Sequence, residues 1–284
     1  MTLDCTLIPT GRVWVDPGGP FGLVPRALWE DAQPPNERGL SPMDLNSLLI
    51  RTAGKTVLVD TGLGDKLSDK GIRNWNLEWP EGTLLDNLAA HGVKPEDVDI
   101  VIDTHLHADH CGGNTKKQGD DVLPTFPNAE YIVQRMEFAD ASHPDLRTRA
   151  TYLPENFVPV WTRGQFRFLH GDAEILPGVR CVLARGHTRA IQCVLLETAP
   201  EPVLFMTDLA TFAVHFERTA WVTAYDVEPL ETIASKQKWQ PWALANNALL
   251  VFQHDAYVRT ARLTKDEEGR LKVVKLSAGS VGAA

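Results

Sequence analysis

Cysteine is scarce in this 284-residue chain, and its four cysteines form no C-x-x-C pair. Cys5, Cys111, Cys181 and Cys193 are spread along the chain, so we expect free thiols in a reducing compartment rather than a disulfide framework. No apolar run approaches the roughly 20 residues that a membrane span requires. Residues 1–5 lack the basic and apolar regions of a secretory signal. We therefore expect a cytoplasmic protein with no membrane partner.

Positive charge is also in deficit, with 28 Lys and Arg against 37 Asp and Glu and a net charge of −9. A nucleic-acid partner is therefore not expected, because such proteins need a positive footprint. Hydrophobic residues at 43% and charged residues at 23% match an ordinary globular balance. No repeat or linker divides the sequence, so we expect a single domain over residues 1–284.

The loosest part of the chain is an N-terminal arm, at about residues 12–44, that is rich in proline and aromatic residues. We expect an arm of this composition to pack against other parts of the protein rather than extend into solvent. It either wraps the domain, walls a pocket or contacts the partner in a homodimer.

Strands and helices alternate irregularly after the arm. We predict a hairpin at 45–51 and 55–60, a helix at 83–91, strands at 98–103 and 129–134, short strands over 166–206 with turns at 171–172, 177–178 and 199–200, a helix at 228–246, a strand at 249–253 and a hairpin at 261–276. Such runs, without strict βαβ alternation, favour an α/β fold of two packed sheets flanked by helices.

Four candidate metal ligands fall within six residues directly after the strand at 98–103: His105, His107, Asp109 and His110. On a continuing strand the first three would share a face, whereas a tight turn before the glycines at 112–113 would splay all four toward two metals. Packing four titratable groups together without a cation is costly. Imidazole suits zinc, and the carboxylate also admits manganese or iron.

Three further candidates each end a predicted apolar strand. His187 follows the run at 179–183, Asp208 ends the run at 203–207, and His254 ends the run at 249–253. Taken alone, Asp208 is as readily a helix cap as a ligand, and His254 is ambiguous. Their parallel placement favours a shared site. The G-x-S-x-G signature of serine hydrolases is missing.

The H-x-H-x-D-H motif at 105–110, the G-H-T turn at 186–188 and the later Asp208 and His254 resemble the metallo-β-lactamase superfamily. The likeness covers nearly the whole chain. The arm segment 21–29, the hairpin end 58–62 and the segment 224–226 are similar to the branch of YtnP-type quorum-quenching lactonases and methyl parathion hydrolases. The resemblance implies a four-layer αβ/βα sandwich, the metallo-β-lactamase fold.

The resemblance also implies two divalent metal ions, zinc first, with cobalt, manganese or iron as alternatives. One is held by His105, His107 and His187, the other by Asp109, His110 and His254, and Asp208 bridges them. Asp60 is expected to orient a ligand, with a turn-capping role as the alternative.

The expected activity is attack by a metal-bridging hydroxide on a lactone, of the N-acyl homoserine type, or on an ester carbonyl. Organophosphate hydrolysis is the alternative; a glyoxalase II-like thioesterase and a non-catalytic scaffold are weaker ones. Asp109, Asp208 and Tyr225 are the candidate catalytic residues. Related lactonases carry a tyrosine three residues after the bridging aspartate, where this chain has Thr211. Tyr225 either substitutes for it or is a half-buried loop aromatic.

The candidate substrate pocket takes residues of the arm and of the segment after Asp208, most of them apolar. They are Phe21, Leu23, Trp29, Thr211, Phe212 and Trp221. His215, seven residues after Asp208, is expected at the surface.

Overall fold

A computed structural model describes residues 3–197 and 201–276, which form two compact units. The first unit takes the described residues of 1–12 and 45–173, and the second those of 13–44 and 174–279. No helix in the described part of the chain is long and apolar enough to cross a membrane. The turn predicted at 199–200 lies outside the described residues.

The first unit is built on a sheet of order β1-β2-β3-β4-β7-β8, with a separate ribbon of β5 and β6. The strands of this sheet and ribbon are β1 (Asp4–Val15), β2 (Ser41–Thr52), β3 (Lys55–Val59), β4 (Ile100–Ile102), β5 (Thr115–Gln118), β6 (Asp121–Pro124), β7 (Glu130–Gln134) and β8 (Phe166–Leu169). Residues 13–15 of β1 and 41–44 of β2 are counted with the second unit. The helices of the first unit are α3 (Asp69–Trp75), α4 (Leu84–Ala90), α5 (Ala108–Cys111), α6 (Arg135–Ser142) and α7 (Val158–Thr162).

The second unit is built on a sheet of order β15-β14-β13-β12-β11-β10-β9. Its strands are β9 (Ala173–Leu176), β10 (Val179–Leu183), β11 (Gln192–Leu196), β12 (Val203–Phe205), β13 (Leu249–Val251), β14 (Thr260–Lys265) and β15 (Leu271–Lys275). Its helices are α1 (Gly18–Phe21), α2 (Arg26–Trp29), α8 (Ala213–Glu217) and α9 (Pro229–Ala245).

Local signals account for most of these elements. Helix α4 begins after Thr83, whose hydroxyl accepts from the backbone N–H of Asp86. The Asp86 carboxylate in turn accepts from the backbone N–H of Thr83. This capping box is typical of a helix start. The side chains of Leu84 and Leu88 lie on one face of the helix and pack into the core of the first unit. The predicted hairpins and the two long helical segments are confirmed, although β2 begins earlier than expected, at Ser41.

Strand direction places the candidate ligands at one edge of each sheet. In the first unit β3, β4 and β7 are parallel, so their carboxyl ends, with Asp60 after β3 and the histidine motif after β4, lie at one edge. In the second unit β12 and β13 are parallel. Strand β10 has the same direction, because it pairs antiparallel with β11, which pairs antiparallel with β12. Loops at such an edge are the usual place for a site.

Candidate metal centre

The histidine motif of the first unit leaves its strand and turns into a helix. His107 is the N-cap of α5, so the continuing-strand alternative is wrong and a helical turn takes its place. Nε2 of His105 lies 3.1 Å from Nδ1 of His107. Two nitrogens on one tetrahedral zinc, each at about 2.0–2.1 Å, would be about 3.3 Å apart. The two rings therefore converge as two ligands of one cation do.

The other two members of the motif lie close by. His105 offers ligand atoms within 4.8 Å of both His107 and His110, and His110 does so for Asp109. All four side chains are buried or nearly so. The described residues thus carry a His/Asp metal-binding cluster.

Asp60 fixes the orientation of His110. Its fully buried carboxylate accepts from the backbone N–H and the hydroxyl of Thr104, each at 2.8 Å, and lies 2.9 Å from Nδ1 of His110. A proton on Nδ1 leaves the Nε2 lone pair for a metal, as second-shell carboxylates commonly arrange. Asp60 also has a left-handed backbone (φ 56°), which a short polar side chain tolerates better than most.

A buried polar network that the sequence reasoning missed lies under the motif. Nδ2 of Asn114 donates to both carboxylate oxygens of Asp103 at 3.0 Å, and the Thr61 hydroxyl donates to Oδ1 of Asn114 at 2.9 Å. Burial raises the pKa of Asp103 well above its usual range. The network ties the turn after β3 to the turn after β4.

Glu137 of α6 is a second missed group. Its carboxylate is fully buried and accepts from the backbone N–H of Leu106 and from the hydroxyl of Tyr152, each at 3.0 Å. The Tyr152 ring lies 4.9 Å from the His107 ring. Glu137 therefore holds the backbone between the first two histidines. No motif marks it in the sequence, because only the tertiary fold brings α6 to this loop.

Asp208 occupies the centre of the second unit's candidate ligands. It lies in a single helical turn, Thr207–Leu209, directly after β12. Its Oδ2 is 3.4 Å from Nε2 of His187, and its Oδ1 is 3.5 Å from Nε2 of His254. Each carboxylate oxygen therefore faces a different histidine. The helix-cap alternative is wrong, since the N-cap of α8 is Phe212.

Both histidines of the second unit have their other ring nitrogen engaged. Nδ1 of His187 lies 3.0 Å from Oδ1 of Asp226, and Nδ1 of His254 lies 2.8 Å from the backbone oxygen of Asp44. Asp44 in turn forms an ion pair with Arg259 at 2.7 Å. Both rings thus present Nε2 to Asp208, the arrangement that metal-bound histidines usually show.

The Asp226 carboxylate was not singled out from the sequence. Burial raises its pKa, but hydrogen bonds with His187, Thr223 and Thr232 outweigh burial and hold the pKa below its usual value. A charged acceptor behind an imidazole strengthens it as a metal ligand.

The candidate donors of each unit are of kinds that bind divalent metal. The first unit offers His105, His107, Asp109 and His110, and the second offers His187, Asp208 and His254. Zinc, cobalt, manganese and iron all accept such ligands. None of these donors is a thiolate: the four cysteines are buried, and burial raises the pKa of Cys111 well above its usual range.

The predicted pocket residues divide by exposure. Phe21 stacks on Trp29 at 4.5 Å and contacts Phe212 at 5.6 Å, and all three are buried. Leu23 is fully exposed, and Tyr225 is 41% exposed. Thr211 is buried and Trp221 is half-buried. Their contact with a substrate stays a prediction.

The expectation that His215 lies at the surface is wrong. The residue is 2% exposed, its Nδ1 accepts from the backbone N–H of Phe212 at 3.2 Å, and its ring lies 5.3 Å from that of Phe21. Burial lowers its pKa to about 3. The reason is the arm, whose aromatic residues cover α8, a contact that spacing along the chain does not predict.

The profile of the metallo-beta-lactamase superfamily matches residues 41–254. The chain belongs to this superfamily. The matched span runs from β2 to the last candidate ligand, so the expected metallo-β-lactamase fold and metal-dependent hydrolase class are confirmed.

The chain is similar to proteins of the lactonase branch of this superfamily. An N-acyl homoserine lactonase of Bacillus sp is 29% identical over 219 residues, covering 73% of this chain and 79% of that protein. The N-acyl homoserine lactonase AttM of Agrobacterium fabrum is 27% identical over 225 residues, covering 73% and 80%. Among solved structures, a probable metal-dependent hydrolase from Staphylococcus aureus matches with a TM-score of 0.87 and 27% identity, covering 97% of this chain and 98% of that one.

Proposed function

We propose that this chain is a dinuclear metal-dependent hydrolase that opens the ring of N-acyl homoserine lactones. The observation that carries the proposal is Asp208, whose two carboxylate oxygens face His187 and His254 separately. A carboxylate so placed is suited to bridging two cations. The substrate class is supported by the two relatives, both named as N-acyl homoserine lactonases.

The proposed ligand sets follow the motif. One cation takes His105, His107 and His187, the other takes Asp109, His110 and His254, and Asp208 is shared. Zinc is proposed first, with cobalt, manganese and iron as alternatives. When bound, two such cations supply an activated water at neutral pH and polarise the acceptor oxygen.

Tyr225 is proposed as the group that assists the substrate carbonyl. Thr211 stands where related lactonases have a tyrosine. Its hydroxyl donates to Oδ1 of Asp208 at 2.9 Å and so orients the proposed bridging carboxylate. Tyr225 is 41% exposed and therefore open to a ligand. Its phenol can donate a hydrogen bond to a developing oxyanion.

The test is a kinetic panel on protein reconstituted with zinc, cobalt or manganese. Acyl homoserine lactones of several chain lengths are compared with aryl esters and with the phosphotriester paraoxon. We expect the highest kcat/KM on a lactone, loss of turnover on chelation and recovery with added metal. Turnover of paraoxon alone would replace the lactonase proposal with the organophosphate alternative, and no turnover on any of the three would refute both. Homodimer formation through the arm and a cytoplasmic location stay predictions.

A further inference from the structure

His187 is held by a segment that the metal-ligand motif does not include. The backbone N–H of Val227 donates to the His187 carbonyl at 3.2 Å, and that of Glu228 donates to the Gly186 carbonyl at 2.9 Å. Residues 186–187 and 227–228 are therefore joined side by side at the start of α9.

Gly186 lets this segment approach. It has a backbone φ of 141°, and a Cβ there would collide with the side chain and backbone of Thr232 in the first turn of α9. Only a residue without a side chain allows that contact. The glycine before His187 is thus explained by the packing of α9.

Asp226 completes the contact through its side chain. Its Oδ1 lies 3.0 Å from Nδ1 of His187 and accepts from the Thr223 hydroxyl at 2.7 Å, while its Oδ2 accepts from the Thr232 hydroxyl at 2.8 Å. The carboxylate is buried. Two hydroxyls thus fix both oxygens, so that the carboxylate meets the imidazole in one orientation.

We propose that Asp226 is a positioning residue for the metal site: it holds His187 with the proton on Nδ1 and directs Nε2 toward the metal shared with Asp208. The inference rests on the proposed function only in taking His187 as a ligand. Nε2 lies 3.4 Å from Oδ2 of Asp208. A carboxylate behind a ligating imidazole raises its basicity and fixes its tautomer, so removing it weakens metal binding roughly 10–100-fold.

The variants are Asp226→Ala, Asp226→Asn and the control Asp266→Asn. Asp266 lies in the same unit, in the turn between β14 and β15, where it pairs with Arg270 at 2.8 Å. The amide of Asp226→Asn keeps one oxygen that accepts from Nδ1–H, whereas Asp226→Ala keeps none. Zinc affinity is measured by competition with a chromophoric chelator, and the visible absorption of the cobalt-loaded protein reports the ligand field.

We expect Asp226→Ala to weaken one zinc equivalent roughly 10–100-fold and Asp226→Asn to recover part of that loss, to about 3–10-fold below wild type. The control binds zinc as wild type does. The cobalt spectrum changes in both Asp226 variants. If Asp226→Ala fails to fold, Asp226→Asn decides by itself.

A merely structural role would lower the melting temperature of the metal-free variants but leave zinc affinity and the cobalt spectrum unchanged. Affinity within twofold of wild type in the Asp226 variants overturns the inference, as does a wild-type chain that takes up no zinc. Because no substrate is present, a wild-type protein that binds zinc but hydrolyses no lactone refutes the proposed function and leaves this inference standing.

Discussion

Asp60→Asn replaces one carboxylate oxygen, a hydrogen-bond acceptor, with an amide nitrogen, although three groups donate hydrogen bonds to the native carboxylate. In the native chain those donors are the backbone N–H and hydroxyl of Thr104 and Nδ1 of His110. If the amide nitrogen faces the Thr104 N–H, two donors meet in a buried site. If it faces His110, the proton must move from Nδ1 to Nε2, and Nε2 is then lost as a metal ligand.

Both orientations have a cost. A buried donor left without an acceptor lowers the free energy of unfolding of the metal-free protein by about 1–3 kcal/mol. The misplaced His110 tautomer weakens metal binding roughly 10–100-fold, or about 1.4–2.7 kcal/mol. Asparagine tolerates the left-handed backbone at this position, so backbone strain adds little.

The assay is zinc competition together with urea unfolding of the metal-free protein, and the matched control is Asp99→Asn. Asp99 lies at the opposite end of β4 and also accepts from one side chain, Lys55, and one backbone N–H, that of Thr56. The control is expected to change stability by less than about 1 kcal/mol, as for a partly exposed ion pair, with zinc affinity unchanged. Equal zinc affinity in Asp60→Asn and Asp99→Asn would refute the role given to Asp60.

Three further predictions concern the second unit. Phe21→Ala is expected to lower the free energy of unfolding by about 3–5 kcal/mol in urea, since a buried ring is lost; a change under 1 kcal/mol contradicts the packing. Gly19→Ala would place a Cβ against the hydroxyl and ring of Tyr225 and displace that side chain. The kcat/KM on the lactone is therefore expected to fall roughly 10–100-fold, while the zinc content stays unchanged. Unchanged kinetics would contradict the role given to Tyr225. Burial lowers the pKa of Lys236 to about 8, below its value in the unfolded chain, so the unfolded chain holds more protons than the folded one between those two pKa values. The free energy of unfolding of wild type is therefore expected to rise by about 2 kcal/mol relative to Lys236→Met between pH 7 and pH 10. An equal pH dependence in the two proteins would contradict the lowered pKa.

Local pattern was enough for much of the fold and for the candidate ligands. The Thr83 cap and the apolar spacing of Leu84 and Leu88 predict α4, because a helix start and a buried face leave short-range signals. The H-x-H-x-D-H spacing is similarly local. His187, Asp208 and His254 are candidates because each follows an apolar strand, and strand direction then brings His187 and His254 to either side of the Asp208 carboxylate.

The groups that hold the ligands were not predictable in this way. Asp226 is 39 residues from His187, and Glu137 is 31 residues from Leu106. Their partners are set by how α9 and α6 pack, and a single buried acidic residue looks like any surface one in sequence. The prediction that His215 is exposed was wrong for the same reason, because the arm residue Phe21 covers its ring.

The most direct measurement is lactone turnover while zinc is added stepwise to the metal-free protein. The proposal of a dinuclear site predicts no turnover without metal and a rate that rises to a plateau at two zinc equivalents per chain. Turnover that survives complete chelation, or a plateau reached at one equivalent, would contradict it.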